Sequence, residues 1–419
     1  MMSRNFKLFL GAAVLFYLAG SMNEAPALYV MSGVCLACIL GCYVISRMAV
    51  AGLALRLDVK PGVAWAGRKA EVEIELANIG IIPRPAVPVR VELTNITVAA
   101  PQSSYLFPMP SLPAGQTVHT SGAVTAQFRG EYRAEAPRVV GGDPLGMFSR
   151  PGPPTASVSF LSLPQTVAIS REDISNMLSQ HAKLQMASRW QRRGDTTGIR
   201  PHEPGDELRD VHWKITAHTG ELVVKQYSGG RDYSAAVWLD TRAGNVIAEG
   251  PQSSFECQVV AAASLIQVLT ELNLDTELFG EGLPTSLRSP DRGRSTYQRW
   301  LFALARAKPA GHREFGANLG EWAALVRPGM TVFALTSGTE HGALEALRGL
   351  AARGIGLRVI LCGAEDAEES LQRRQIAALE ALRAAGAPAV LAASVLELPQ
   401  AFSQLAAMSS LREPEGVPR

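Results

Sequence analysis

The sequence predicts a multidomain protein with an N-terminal transmembrane helical hairpin, an all-β sandwich and a C-terminal Rossmann-like α/β domain. Two apolar runs without charge stand at the N-terminus, and a region follows in which apolar and polar residues alternate with period two. Short apolar strands then alternate with helical segments, as in parallel sheets. We place the hairpin at 1–50, the sandwich at 51–165, a linker at 166–233, the α/β domain at 234–408 and a flexible tail at 409–419.

Charge and cysteine content exclude several classes of function. The chain carries 40 Lys plus Arg against 38 Asp plus Glu, so no overall positive field attracts nucleic acid. Three of the five cysteines lie inside an apolar run, which does not resemble a disulfide framework and suits a reducing compartment or lipid. We therefore expect neither nucleic-acid binding nor redox chemistry.

The apolar runs extend from Leu8 to Met22 and from Ala25 to Ser46. The second run exceeds the roughly 20 residues that cross a bilayer, and the first is marginal. A signal peptide is the alternative for the first run, but its cleavage site is poor and a second span follows at once. Basic residues flank the hairpin on its outer ends and are absent from its turn, which predicts that both ends are cytoplasmic: Arg4, Lys7, Arg47 and Arg56. We expect the soluble domains to be cytoplasmic and lipid to surround the hairpin.

Four segments between Leu53 and Leu163 alternate as half-buried strands do: LALRLDV, AEVEIELAN, VPVRVELTN and TVHTSGAVTAQ. Pro- and Gly-rich turns separate them at the spacing of a small antiparallel sandwich. Near the end of this region, Asp143-Pro144-Leu145-Gly146 has the composition of a β-turn with Pro at its second position.

The α/β domain begins with a buried strand at Ala235 to Thr241, and Ser253-x-x-Glu256 is a capping box for the next helix. Further helices are expected at Ala343 to Arg353 and Glu368 to Ala385. Three later strands alternate with them: TVFALTS, GLRVILC and APAVLAA. A helix around Asp173 to Met186 is expected in the linker.

Charged residues, together with Gly, Pro and Trp, are unusually dense between Arg200 and Tyr227, in the segment RPHEPGDELRDVHWKITAHTGELVVKQY. It resembles the pattern R-x-Y-x-x-G-D-x-x-R-x-[IV]-x-W-K-x-[ST]-A-R-x-G-x-L-x-V of the domain of unknown function 58 family. His202 replaces the usual Tyr and His218 the usual Arg. The stretch RGEYRAEAPRVVGGDPLGMFSR resembles the second signature of the same family, R-G-x-Y followed by D-P-F-G-L-F.

The resemblance implies a membrane-anchored bacterial protein whose C-terminal part is von Willebrand A-like. It also implies partnership with a MoxR-type AAA+ ATPase, often alongside a transglutaminase-like membrane protein, in assembly or maturation of complexes or of the envelope. In von Willebrand A-like domains a D-x-S-x-S turn holds Mg²⁺ through oxygen ligands. Here the turn is Asp240-Thr241-Arg242-Ala243-Gly244, so Asp240 marks a degenerate metal-site position.

Three interpretations of the central segment stay open. It can be structural, with Gly205 in a tight turn, Asp206 paired with Arg209, Trp213 buried and LVVKQY a strand entering the α/β domain. It can be a docking face made by six residues: Arg200, Gly205, Asp206, Arg209, Trp213 and Lys214. It can also supply a metal or acid-base cluster around His202 and His212.

Common catalytic signatures and phosphate-binding loops are missing from the sequence. We therefore expect a non-enzymatic adaptor or scaffold, without metal or other cofactor, that docks the ATPase. The alternative hypothesis is a metal-dependent binding or hydrolytic module centred on Asp240 or on His202 and His212.

Overall fold

The computed structural model describes residues 3–178, 196–201, 211–227, 235–272, 274, 276–283, 294–326, 330–353 and 355–410. The chain divides into two compact units, Met1–Leu163 and Pro164–Arg419, which are described in turn.

The first unit opens with two antiparallel helices, α1 (Arg4–Asn23) and α2 (Pro26–Val50). Ser3 caps α1 by accepting the Phe6 amide proton, and Pro26 opens α2 where its missing N–H costs nothing. Ser32 Oγ donates to the Ala13 carbonyl at 2.9 Å and ties the two helices together. Both helices are long and apolar enough to cross a membrane. The two predicted apolar helices are therefore confirmed.

Nine strands follow and form two sheets: β1 (Leu53–Lys60), β2 (Val63–Trp65), β3 (Lys69–Asn78), β4 (Pro88–Asn95), β5 (Ser103–Pro108), β6 (Thr117–Thr125), β7 (Gly130–Gly142), β8 (Ser149–Pro151) and β9 (Val158–Leu163). One sheet has the antiparallel order β1-β3-β6. The other has the order β2-β9-β7-β4-β5, with β8 paired to β7 and only the β2–β9 pair parallel among its pairings. The predicted strands correspond to β1, β3, β4 and β6.

Period-two burial explains why the two sheets pack together. In β3, Ala70, Val72, Ile74 and Leu76 point inward, whereas the intervening Lys and Glu residues point outward. One core contains the inward residues of both sheets, among them Val89 and Val91 of β4. The β-rich region is thus a sandwich in which each sheet buries one face.

The turn after β7 holds the outer end of the helical hairpin. The Ser3 amide donates to the Met147 carbonyl at 3.1 Å, and Asn5 Nδ2 donates to the Leu145 carbonyl at 2.9 Å. The Phe148 ring contacts Phe6 at a centroid distance of 5.4 Å and Tyr43 at 5.7 Å. The hairpin is therefore fixed to the sandwich by hydrogen bonds and aromatic contacts, beyond the covalent link.

Asp143 organises this turn. The Gly146 amide donates to the Asp143 carbonyl at 3.0 Å, which confirms the predicted β-turn. The Asp143 carboxylate also accepts the amide protons of Leu145, Met147 and Phe148, at 3.0, 3.1 and 2.7 Å. Burial would raise the pKa of Asp143, but the Phe148 and Met147 amides outweigh it and lower that pKa.

A buried arginine makes a second connection between hairpin and sandwich. Arg84 is 8% exposed, and its Nη1 donates to the Met48 carbonyl at the C-terminal end of α2 at 2.5 Å. Cations are favourable at this end of a helix, where carbonyl groups lack intrahelical partners. Gly141 of β7 lies against α2 as well, because a Cβ there would approach Val50 Cγ1 to 2.5 Å.

The second unit is built on a five-stranded parallel sheet of order β13-β12-β14-β15-β16. Its strands are β12 (Ala235–Leu239), β13 (Thr276–Phe279), β14 (Thr331–Thr336), β15 (Gly356–Cys362) and β16 (Ala389–Ala392). Every residue of β12 and β14 is buried, as expected for strands covered on both faces. The predicted α/β region is confirmed, and β13 is an edge strand that the sequence analysis did not identify.

Eight helices are described in this unit: α3 (Arg171–Met177), α4 (Trp213–Thr219), α5 (Ser254–Glu271), α6 (Arg294–Arg306), α7 (Phe315–Ala323), α8 (His341–Ala352), α9 (Glu369–Ala384) and α10 (Leu398–Ser410). Helices α7, α8 and α9 share one core with alternate residues of the strands, including Trp238. Helix α5 contacts the sheet, and its cap, Ser253, accepts the Glu256 amide proton as predicted. The predicted linker helix is α3 up to Met177, and its expected continuation lies outside the described residues.

The central segment forms its own antiparallel pair, β10 (Thr196–Pro201) with β11 (Val223–Tyr227). The interpretation of LVVKQY as a strand was correct, but its partner is β10 and not a strand of the parallel sheet. The segment returns on itself because β10 and β11 run in opposite directions with α4 between them.

We expect Asp143→Asn to loosen the turn that holds the hairpin. The amide side chain lacks the charge and one acceptor oxygen, so the unfolding free energy should fall by about 1–3 kcal/mol. Because the pKa of Asp143 is lowered, its stabilisation is present above the unfolded value of 3.8 and is lost as pH falls through the folded value. Thermal unfolding of the detergent-solubilised full chain measures the effect.

Glu135→Gln is the matched control, since Glu135 of β7 is exposed and its side chain has no hydrogen bond among the described residues. Equal melting temperatures for Asp143→Asn and wild type at neutral pH would contradict the role given to Asp143.

Candidate functional site

The direction of the chain connections reverses between β12 and β14, at the carboxyl ends of these two strands. Numbered along the chain, the sheet has the order 2-1-3-4-5, so connections leave its first and third strands in opposite directions. Open α/β sheets bind ligands at such a switch point. Asp240 follows β12 and Thr336 ends β14, and these two residues therefore meet there.

Asp240 is 1% exposed, and protein donors surround its carboxylate. Oδ2 accepts from Thr336 Oγ1 at 2.8 Å and from Asn245 Nδ2 at 2.9 Å. Oδ1 accepts from the Arg242 amide at 3.2 Å. Each carboxylate oxygen thus has a donor from within the chain.

Glu340 forms the other half of the cluster. Its Oε2 accepts from Asn245 Nδ2 at 2.8 Å and from Arg242 Nη1 at 3.1 Å. The amides of Phe315 and Gly316, at the start of α7, donate to the two Glu340 oxygens at 3.1 and 3.0 Å. Asn245 therefore bridges two carboxylates, and Arg242 neutralises one of them.

The two carboxyl groups are held differently. Burial raises the pKa of Asp240 to about 6, against the hydrogen bonds from Asn245, Thr336 and the Arg242 amide. Burial acts in the same sense on Glu340, but the donors Asn245, Gly316, Phe315 and Arg242 outweigh it and lower the pKa of Glu340. Glu340 is thus stabilised as an anion, whereas the charge on Asp240 is costly.

This arrangement does not fit a divalent cation. A cation site needs converging oxygen ligands, whereas the groups facing Asp240 and Glu340 include the Arg242 guanidinium and the Asn245 amide nitrogen, both donors. The Arg242 guanidinium also lies 3.9 Å from Glu314. Among the described residues, no three His, Cys, Asp or Glu side chains are grouped so as to hold a metal ion. An Arg–Glu ion pair links the loops after β12 and β14.

Three residues of the central segment stabilise its local fold. Thr216 Oγ1 accepts the Val223 amide proton at 3.1 Å and joins α4 to β11. Gly220 ends α4 with φ 75°, a conformation that favours glycine, and its amide donates to the Thr216 carbonyl. Val224 is buried and bridges to Val211. The fold therefore explains why the family pattern has these residue types at three of its positions: Ser or Thr, Gly and the last Val.

Other residues of the same pattern face outward. Trp213 is 61% exposed, Leu222 is 44% exposed, and Lys214 is exposed beside Trp213 on α4. The interpretation of Trp213 as a buried anchor was wrong. Trp213 occupies the first position of a seven-residue helix, after which the chain folds back through Thr216 and Gly220.

The remaining predicted residues are less fully placed. The backbone of Arg200 belongs to β10. Gly205, Asp206 and Arg209, as well as His202, lie outside the described residues. His212 precedes α4 and its amide donates to the Val223 carbonyl at 2.7 Å. The predicted positions whose side chains are described are Asp240, His212, Trp213 and Lys214.

Three members of this cluster were not among the predicted site residues: Asn245, Thr336 and Glu340. Asn245 follows Asp240 by one short turn, and Glu340 follows Thr336 in the same manner. Polar residues directly after two buried strands of one parallel sheet were the available signal, because the carboxyl ends of such strands meet. That signal points to the location but not to the pairing between Arg242 and Glu340.

We expect the stability of the second unit to depend on the ionisation of Asp240. Because the pKa of Asp240 is higher in the folded state than in the unfolded state, the protonated carboxyl group stabilises the fold. This stabilisation of about 3 kcal/mol is fully present below the unfolded pKa of 3.8 and is lost as pH rises through about 6. Asp240→Asn should flatten this dependence. Denaturant unfolding of the full chain in detergent at several pH values, followed by tryptophan fluorescence, measures the slope.

Asp366→Asn is the control, because Asp366 is exposed and should leave the slope unchanged. An Asp240→Asn profile that still falls between pH 4 and 6 as in wild type would contradict the cost assigned to the buried charge.

Solved structures share little with this chain. A β-glucosidase from Listeria innocua is 15% identical over 26% of this chain and 16% of that chain, with a TM-score of 0.20. The CARDB domain of the PF1109 protein of Pyrococcus furiosus is 18% identical over 26% of this chain and 91% of that domain, with a TM-score of 0.19. An alkylpurine DNA glycosylase of Pseudomonas fluorescens is 15% identical over 33% of this chain and 40% of that chain, with a TM-score of 0.21. Scores this low carry no argument about fold or function.

No curated protein matches the chain. The family comparison is informative. The matched part begins within β10, includes α4, β11 and the Asp240 cluster, and ends just before α9. Residues 198–368 match the family described as "Protein of unknown function DUF58", which confirms over this part of the chain the family resemblance inferred from the sequence.

Proposed function

We propose that the protein is a non-enzymatic, membrane-anchored adaptor that docks a MoxR-type AAA+ ATPase through the face formed by Trp213, Lys214 and Leu222. The docked ATPase would act in assembly or maturation of a protein complex or an envelope component. The observation that carries the proposal is the exposure of Trp213 within the family segment. The identity of the partner comes from the family resemblance alone.

The exposure of Trp213 favours a binding role. Folding accounts for Thr216, Gly220 and Val224 of the segment, but it does not account for an indole that is 61% exposed. Exposed aromatic residues with neighbouring cations are frequent anchors of protein interfaces, because they bury a large area with few rotatable bonds. Lys214 adds a charge that can orient a partner.

The Asp240 cluster favours a role without catalysis. Asp240, Arg242, Asn245 and Glu340 satisfy one another, and the amides that start α7 complete the set. A general base or a cation site would need a carboxylate free to meet substrate or metal. A closed network of this kind is suited to keeping the ends of β12 and β14 rigid.

The two apolar helices support membrane anchoring. With basic residues at the outer ends of the hairpin, we propose the bacterial inner membrane, with the soluble units in the cytoplasm where a AAA+ ATPase finds its nucleotide. A transglutaminase-like membrane protein is a second partner that the family resemblance suggests. The hairpin would tether the complex, and lipid would surround it.

We expect Trp213→Ala to weaken ATPase capture by at least about thirtyfold, the equivalent of a 2 kcal/mol interface anchor. Tagged full-length protein would be purified from detergent-solubilised membranes with and without ATP, and the recovered AAA+ ATPase quantified. Because Trp213 is exposed, the variant should keep the melting temperature of wild type. Lys214→Glu should weaken capture by a smaller factor.

Leu325→Ala is the matched control: Leu325 is 59% exposed in the same unit but lies outside the central segment. The docking face is supported if wild type and Leu325→Ala both recover the ATPase and Trp213→Ala does not. Equal recovery by Trp213→Ala would refute the face, and no AAA+ ATPase from wild type in any nucleotide state would refute the adaptor role.

A further inference from the structure

Three side chains come together at the outer end of the hairpin: Tyr43, Arg47 and Arg150. At roughly 1.5 Å per residue, Tyr43 lies about 26 Å from Pro26 along α2, close to the hydrocarbon thickness of about 30 Å. Phe6 of α1 and Tyr43 both contact Phe148, so the two helices reach this level together. Tyrosine is enriched at this boundary, where its ring is apolar and its hydroxyl is hydrated.

Two guanidinium groups converge on Tyr43. Arg47, one helical turn beyond, donates from Nη1 to the Tyr43 hydroxyl at 3.4 Å. Arg150, from β8 of the sandwich, has its Cζ 5.5 Å from the centroid of the same ring. The ring thus holds two cations from distant parts of the sequence in one place, although like charges repel.

No carboxylate compensates these cations. Within the part of the chain that the structure describes, neither Arg47 nor Arg150 has an ion pair. The carboxylate of the adjoining turn, Asp143, is occupied by the amides of Leu145, Met147 and Phe148. Two guanidinium groups that share one tyrosine and have no carboxylate partner form a local positive charge that attracts an anion from outside the chain.

We propose that Tyr43, Arg47 and Arg150 form a binding site for the phosphate of an anionic phospholipid headgroup. Guanidinium groups donate to phosphate in a bidentate manner, and the tyrosine hydroxyl adds a third donor. The acyl chains would lie along the exposed apolar side chains of α2, such as Val44 and Leu40. A lipid in this site joins the hairpin to the sandwich, since Arg47 and Arg150 belong to different parts of the first unit.

The inference rests on the membrane anchoring proposed above but not on ATPase docking. Extraction of membranes with alkaline carbonate tests the anchoring independently: release of the protein would remove the basis of the site. Failure to capture an ATPase would leave the lipid site standing.

The test compares lipid binding by the full-length protein in detergent, followed by native mass spectrometry during titration with phosphatidylglycerol or phosphatidylcholine. We expect wild type to favour phosphatidylglycerol, and the double variant Arg47→Gln/Arg150→Gln to lose about thirtyfold in affinity for it, or about fivefold per guanidinium. Arg47→Lys/Arg150→Lys should retain much of the preference, because it keeps both charges while losing the bidentate geometry.

Arg68→Gln is the matched control for charge. Arg68 is exposed and directly precedes the first residue of β3. The last residue of β3 lies beside the C-terminal end of α2. A ten-residue strand separates Arg68 from the proposed site by about 30 Å. This variant should bind phosphatidylglycerol as wild type does.

Competition with inorganic phosphate distinguishes the source of the anion. Weak competition only at high concentration supports a lipid site, because the acyl chains add affinity. Equal binding of both lipids by wild type, or unchanged phosphatidylglycerol binding by the double Gln variant, would overturn the proposal. A third outcome is that wild type binds inorganic phosphate but prefers neither lipid, and that the double Gln variant loses the phosphate. This outcome would show that the ligand is not a lipid.

Discussion

The ion pair between Arg242 and Glu340 joins the two loops on which the centre of the α/β unit depends. It lies at the topological switch point, where the loops after β12 and β14 meet, and Asn245 joins it to Asp240. In a fold of this type, that position is the usual place for a ligand. Here the Arg242 guanidinium pairs with Glu340, while Asn245, Thr336 and the Arg242 backbone amide donate to Asp240. In the resulting network the buried carboxylates and their donors satisfy one another.

A comparable constraint organises the first unit. Asp143 gathers three backbone amides into one turn, and this turn presents Phe148 to both helices of the hairpin. Arg84 adds a buried donor at the C-terminal end of α2. The sandwich is thus attached to the hairpin by several interactions in addition to the covalent link between α2 and β1.

The fold was largely predictable because its signals are local. Alternation in β3 and uninterrupted apolar strands such as β12 follow directly from which faces are buried. Edge strand β13 was missed because its four residues, two of them polar, carry little hydrophobic signal. The prediction that Trp213 is buried was wrong for a different reason. A large aromatic residue is assigned to the core from its residue type, whereas its exposure depends on how α4 folds back onto β11.

The candidate site was only partly predictable. Asp240 could be located from the end of a buried strand, and Arg242 could be recognised as unsuited to a metal site from its charge. The partners Thr336 and Glu340 are almost one hundred residues away, and only the pairing of β12 with β14 brings them close. Long-range contacts of this kind are decided by topology, which a single sequence leaves open among several arrangements.

The most direct test of the account is metal analysis of the purified full-length protein, after incubation with Mg²⁺ or Mn²⁺ and removal of free ion. Wild type, Asp240→Ala and Arg242→Ser would be compared. The account predicts no stoichiometric metal in wild type, because Arg242 and Asn245 already satisfy Asp240 and Glu340. One ion per chain in wild type that is lost in Asp240→Ala would contradict it and would establish a metal-dependent site in its place.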